Sequence, residues 1–76
     1  MDGEVLCNAI KVERAIRNLT QADLAALAGV TRKSINAIET GRMVPSMLLG
    51  LKIARALGVS VNTIFSLDGN SLVGAP

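Results

Sequence analysis

The chain of 76 residues carries a formal charge of +2, one cysteine and no histidine, and half its residues are apolar although only Phe65 is aromatic. These figures allow one small domain with an aliphatic core, and they exclude a disulfide framework, a histidine-bound zinc and a histidine general base. So small a surplus of charge is weak support for a nucleic-acid partner, but its distribution says more: Arg32, Lys33 and Arg42 gather on one segment with only Glu39 among them, while Asp2 and Glu4 lie at the start.

Cys7 reads as a small apolar residue rather than a reactive thiol. Start and stop signals then divide the chain into five short helices. The first runs from Asn8 or Ala9 to Arg17, with Asn18 as its stop. Thr20 caps the second: its hydroxyl can accept from the N–H of Asp23, and Asp23 suits the positive end of a helix. Leu24, Ala25, Leu27 and Ala28 give this helix an apolar face, and Gly29 ends it where a left-handed residue is needed. Thr31 caps the third helix, which places Ile35 and Ile38 on one face and Arg32, Lys33, Asn36 and Ala37 toward the other, and Gly41 closes it.

Ser46 caps a fourth helix reaching Leu57, with Met47, Leu51, Ala54 and Leu57 as its stripe and Gly58 as its stop. Gly50 inside it costs about 1 kcal/mol against alanine, which close packing would explain. Ser60 caps a short fifth helix contributing Val61, Ile64 and Phe65, and residues 67–76 read as a frayed tail. No strand-like alternation of useful length is visible. The longest apolar stretch, Met43 to Leu51, is broken by Pro45 and Ser46 and is too short to span a bilayer; with no signal peptide apparent, a cytoplasmic location is expected.

The informative stretch is Thr20 to Gly41, two helices of about eight residues joined by a tight turn at Ala28-Gly29-Val30-Thr31. Small residues at Ala25 and Ala28 let the helices approach at a steep angle. A helix that reads DNA must bury one face and offer polar or cationic side chains on the other, as this third helix does.

The run LTQADLAALAGVTRKSINAIETGRMVPS, followed by LKIARALGVSVNTIF, resembles the lambda-repressor-like helix-turn-helix family, also called the xenobiotic-response-element family. The family pattern has T-Q-x-x-L-A before the turn, G-V-[ST] through it, S-I-x-x-I-E-x-G and P-S after it and A-x-A-L-G-V-S late; the sequence meets each part in order between about Ile10 and Phe65. The resemblance implies an all-α, compact five-helix DNA-binding domain over residues 9–66, flanked by tails at 1–8 and 67–76. It implies base contacts from Thr31, Arg32, Lys33, Asn36 and Ala37, and phosphate contacts from Gln21, Thr40 and Arg42. Arg14 and Glu39 match a structural ion pair joining the first helix to the end of the third, and Glu39 unpaired would be an awkward acid beside phosphates.

Glu13 departs from the pattern, standing where an apolar residue is usual, which suggests a pair with Arg17. Leu48 and Leu49 beside Met43 and Val44 leave more apolar surface than one small bundle hides, which points to a homodimer, with Ile64, Phe65 and Leu67 as its expected surface. The expectation is a non-enzymatic regulator, most simply a repressor, that binds double-stranded DNA as a dimer on half-sites roughly 34 Å apart, without metal, cofactor or small-molecule ligand. The rival reading is an antitoxin-like or regulatory protein-interaction module that keeps the fold with weak or no DNA binding.

Overall fold

Local hydrogen-bond chemistry sets where the helices begin and end. The structure, a computed structural model, describes residues 5–67. In chain order its elements are β1 (Leu6–Asn8), α1 (Ile10–Ile16), α2 (Gln21–Ala28), α3 (Arg32–Glu39), α4 (Met47–Leu57), α5 (Val61–Ile64) and β2 (Phe65–Leu67). At the start of α2 the Thr20 hydroxyl accepts from the Asp23 N–H while the Asp23 carboxylate accepts from the Thr20 N–H, so both bonds of a capping box form. Thr31 and Ser46 cap α3 and α4 in the simpler way, accepting from Ser34 and Leu49. Ser60 precedes α5 as expected, but its hydroxyl meets the Thr63 hydroxyl instead of a helix N–H.

α2 and α4 end on Gly29 and Gly58 at φ +73° and +74°, the left-handed conformation that closes a helix with no clash from a β-carbon. Asn18 adopts the same region at φ +56° after α1, a conformation that asparagine tolerates better than most side chains.

Each helix sends one large aliphatic side chain to the centre: Ile10, Leu24, Ile35, Ile53 and Ile64 are fully buried. Ala25 and Ala28 of α2, Ile38 of α3 and Ala54 and Leu57 of α4 complete the core. The exposed face of α2 includes Leu27, which the sequence pattern had placed inward. α4 buries Ala54 and Leu57 of its expected stripe but not Met47 and Leu51. Its buried side is Gly50, Ile53, Ala54 and Leu57, whereas Met47 is 74% exposed and Leu51 48%. Gly50 marks where α4 packs on its neighbours: a β-carbon there would stand in ordinary van der Waals contact with the Phe65 ring at 3.5 Å and Val61 at 3.8 Å.

The two strands are the other departure. β1 and β2 pair antiparallel, with Leu6 opposite Leu67, Cys7 opposite Ser66 and Asn8 opposite Phe65. Residues 6–8 and 67, read from the sequence as tails, therefore form a small sheet, and Phe65 belongs to a strand rather than to the fifth helix. Asn8 fastens this sheet to the bundle. Its carboxamide donates to the Ile38 carbonyl at 3.0 Å and accepts from the Ile10 N–H at 3.2 Å, while the neighbouring Ala9 N–H donates to Ile64 O at 2.9 Å.

One expected role is overturned here. Ile64 is 1% exposed and part of the core, so it cannot serve as a dimer surface, and Phe65 is half-buried over Gly50. Leu67, the third residue of that expected surface, is exposed, as are the large apolar side chains of Val44, Met47, Leu48 and Leu51. Among the described residues, no helix is long and apolar enough to cross a membrane.

Candidate nucleic-acid interface

α2 and α3 are joined by Gly29, Val30 and Thr31, and the Val30 N–H bonds back to the Ala25 carbonyl at 3.0 Å, which tightens the turn. With Ile35 and Ile38 anchored in the core, helical geometry directs Arg32, Lys33 and Asn36 outward, and all three are exposed. Gln21, the first residue of α2, comes to the same place across the turn. These four side chains line one open groove of about 340 Å³. Thr31 is exposed at its edge with its hydroxyl engaged to Ser34, and Ala37 is half-buried behind Asn36.

Thr40 and Arg42 lie at the far end of α3. The Thr40 hydroxyl is turned inward, donating to the Asn36 carbonyl at 2.8 Å, so its one proton is committed to its own helix. Arg42 is exposed, and its backbone N–H closes on Ala37 O at 2.9 Å. Among the described residues the ion pairs are Arg14 with Glu39 and Glu13 with Arg17, so Arg32, Lys33 and Arg42 have no acidic partner there. Two of these cations sit at the N-terminal end of α3, where the helix dipole already disfavours positive charge. An incoming anion would relieve both.

Behind the groove lies a polar chain that the sequence only half disclosed. The Arg14 guanidinium holds Glu39 with two bonds, Nε to Oε2 at 2.7 Å and Nη2 to Oε1 at 3.0 Å, and donates a third to the Leu19 carbonyl at 2.9 Å. The expected pair is therefore present, and its side chains are only 14% and 7% exposed. The Gln21 carboxamide nitrogen donates both to Glu39 Oε1 and to Asn36 Oδ1, each at 3.2 Å. These two bonds span 18 and 15 positions and depend on how α2 crosses α3, which no local pattern reveals.

Burial opposes the charge on Glu39, but the hydrogen bonds from Arg14 and Gln21 outweigh it and hold the carboxyl below its ordinary range; the same pairing raises Arg14. A depressed folded pKa contributes stability above the unfolded value of 4.5 and loses it as pH falls through the folded value. Thermal melts of Glu39→Gln should accordingly show a shallower loss of stability with acid than wild type between about pH 5 and pH 3. Equal slopes would mean that other carboxylates carry the acid limb.

The helix-turn-helix family model matches residues 10–64, which takes in all five helices and the whole groove. An uncharacterized HTH-type transcriptional regulator of Methanocaldococcus jannaschii is 50% identical over 58 residues, covering 76% of this chain and 88% of the relative. One of Methanothermobacter thermautotrophicus is 48% identical over 60 residues, covering 78% and 87%. Among solved structures, the restriction-modification controller protein C.AhdI from Aeromonas hydrophila superposes with a TM-score of 0.68 at 30% identity, over 70% of this chain and 80% of that one. With the match running from α1 to the end of α5, the chain belongs to the helix-turn-helix family.

Proposed function

We propose that the protein is a transcriptional regulator that binds double-stranded DNA sequence-specifically, with α3 in the major groove. The observation that carries this reading is the groove itself: Arg32 and Lys33, exposed and without acidic partners, stand beside Asn36 at the start of a helix whose opposite face is anchored in the core. Thr31, Arg32, Lys33, Asn36 and Ala37 are the residues assigned to bases. Gln21 is assigned to phosphate through the unpaired backbone N–H groups at the start of α2, since both protons of its carboxamide nitrogen go to Glu39 and Asn36. Arg42 supplies a further phosphate contact beyond α3, and Thr40 joins it only by releasing its bond to Asn36 O and donating that proton to the phosphate.

The active form we assign is a homodimer on a palindromic operator, whose half-sites lie roughly 34 Å apart. A single reading helix covers too few base pairs to select one site in a genome, and two-fold repetition doubles the number read. The face favoured for that contact is Val44, Met47, Leu48 and Leu51, not Ile64. Repression follows most simply, because a dimer seated over a promoter blocks polymerase without further machinery. Such a protein works at the nucleoid in the cytoplasm. The second reading, a protein-interaction module, draws on the same apolar face, since a different protein would cover it equally well.

A selection of bound duplexes from a random pool, repeated across a salt series, separates the two readings. DNA binding predicts a recovered palindrome and a logarithmic salt slope of about −0.9 per phosphate neutralised. No enrichment at low salt leaves the interaction module. For the dimer, Met47→Lys should give a monomer in sedimentation equilibrium with an unchanged helical spectrum and weakened binding to the full palindrome. A persistent dimer would place the interface elsewhere.

A further inference from the structure

The chain Arg14–Glu39–Gln21–Asn36 has a direction, and that direction reaches the groove. A carboxylate has no proton to give, so in its contact with Glu39 the Gln21 carboxamide must offer nitrogen. The depressed pKa of Glu39 keeps it in that acceptor state at neutral pH. The same Gln21 nitrogen also faces Asn36 at 3.2 Å, and its second proton requires an acceptor, so Asn36 must turn its oxygen inward. What Asn36 then offers outward, on the exposed face of α3, is its NH₂ group.

This settles the kind of base the side chain can read. Asparagine pairs with adenine by accepting from N6 and donating to N7 together, which needs both ends of the carboxamide facing the base. Asn36 holds its acceptor end toward Gln21 and has donors to give. Arg32 and Lys33, on the same groove, are donors only. The α3 side chains that line the groove, Arg32, Lys33 and Asn36, thus present donors alone. Guanine is the base whose major-groove edge presents two acceptors, N7 and O6, and no donor.

We propose that Gln21 is a specificity-determining positioning residue: anchored by Glu39, it fixes the carboxamide of Asn36 so that this position selects guanine and rejects adenine. The inference rests on the DNA-reading function above and adds the base class to it. Gln21 acts here through another side chain, separately from any bond it makes to phosphate. Loss of a phosphate contact weakens all sequences alike, whereas loss of positioning changes the preference at one base pair.

The test is a per-position binding profile from the random-pool selection, taken for wild type, Asn36→Ala, Gln21→Leu and Asn36→Asp, each first checked for a native helical spectrum and melting curve. Asn36→Ala identifies the base pair, as the position whose preference it erases. Wild type is expected to show guanine there, favoured over adenine by on the order of tenfold or more. In Gln21→Leu the Asn36 carboxamide turns freely, and the preference for guanine over adenine should fall to near parity at that position alone. Asn36→Asp keeps the inward oxygen that Gln21 requires, replaces the outward donor by an acceptor and should shift the preference to cytosine, whose N4 is a donor. Any base but guanine in wild type, or a guanine preference intact in Gln21→Leu, overturns the inference while leaving DNA reading in place. Failure of the wild type to enrich any sequence instead removes the DNA-binding reading on which it rests.

Discussion

Alanine at both Arg32 and Lys33 is expected to lower affinity for the selected operator by at least about thirtyfold, since each long donor in the major groove accounts for roughly 1–3 kcal/mol of discrimination. The fold should survive. Both side chains are exposed, neither has an ion-pair partner among the described residues, and the core beneath them is Ile35 and Ile38. Removing two cations from a helix N-terminus even favours the helix by a few tenths of a kcal/mol. Fluorescence anisotropy with the operator duplex and a parallel thermal melt decide the matter. Unchanged affinity would assign the reading to other residues, and an unfolded variant would show that α3 is held differently from the structure described here.

The second large effect belongs to the scaffold. Arg14→Leu leaves Glu39, 7% exposed, without the cation that compensates its burial. The expected cost is about 3 kcal/mol, the lower end of the range for breaking a buried pair, because both partners keep an edge toward solvent. In a domain of this size that lowers the melting temperature by roughly 12 °C or more.

The variant also changes the acid behaviour. Without Arg14, Glu39 keeps the burial that raises its pKa, opposed only by Gln21 and Lys11, so its folded pKa rises and its cost diminishes as acid neutralises it. The gap between wild type and variant should therefore be widest at neutral pH and narrow toward pH 3. Adding Glu39→Leu to Arg14→Leu should recover much of the loss at neutral pH, since a buried pair replaced by packed apolar groups is often close to neutral. A gap independent of pH would show that Arg14 acts through packing and its bond to Leu19 O instead of through charge.

What the sequence disclosed and what it hid divide along the range of the interaction involved. Thr20, Thr31 and Ser46 could be read as caps, and Gly29 and Gly58 as stops, because each acts on atoms within a few positions of itself. The capping box at Asp23 formed although aspartate is shorter than the usual glutamate. The pair of Arg14 and Glu39, 25 positions apart, came from family resemblance and not from any local pattern. Half of the expected α4 stripe turns inward, Ala54 and Leu57, whereas Met47 and Leu51 are exposed and Gly50 and Ile53 are buried in their stead. The side that turns inward is the one facing Phe65 and Val61, at ordinary contact distance from Gly50, and both lie more than ten positions along the chain.

β1 and β2 escaped notice for a related reason. Leu-Cys-Asn and Phe-Ser-Leu are each too short for alternation to be seen, and every bond between them is non-local. The connection of Gln21 to Asn36 and Glu39 was equally invisible, although all three residues had been singled out for separate roles. Side chains were assigned correctly to a face, but their hydrogen-bond direction emerges only when two helices cross.

The pairing of Leu6 with Leu67 also has a topological consequence. Two positions almost at opposite extremes of the sequence become neighbours, so the path from 6 to 67 is nearly a closed ring. Circular permutation is then a natural operation on this fold: residues 6 and 67 can be bridged by a short loop and the ring reopened at the exposed turn of Gly58, between α4 and α5. Such a permutant keeps α2, the turn and α3 uninterrupted. It would also move any fused reporter from the strand latch to the far end of α4 without altering the reading helix.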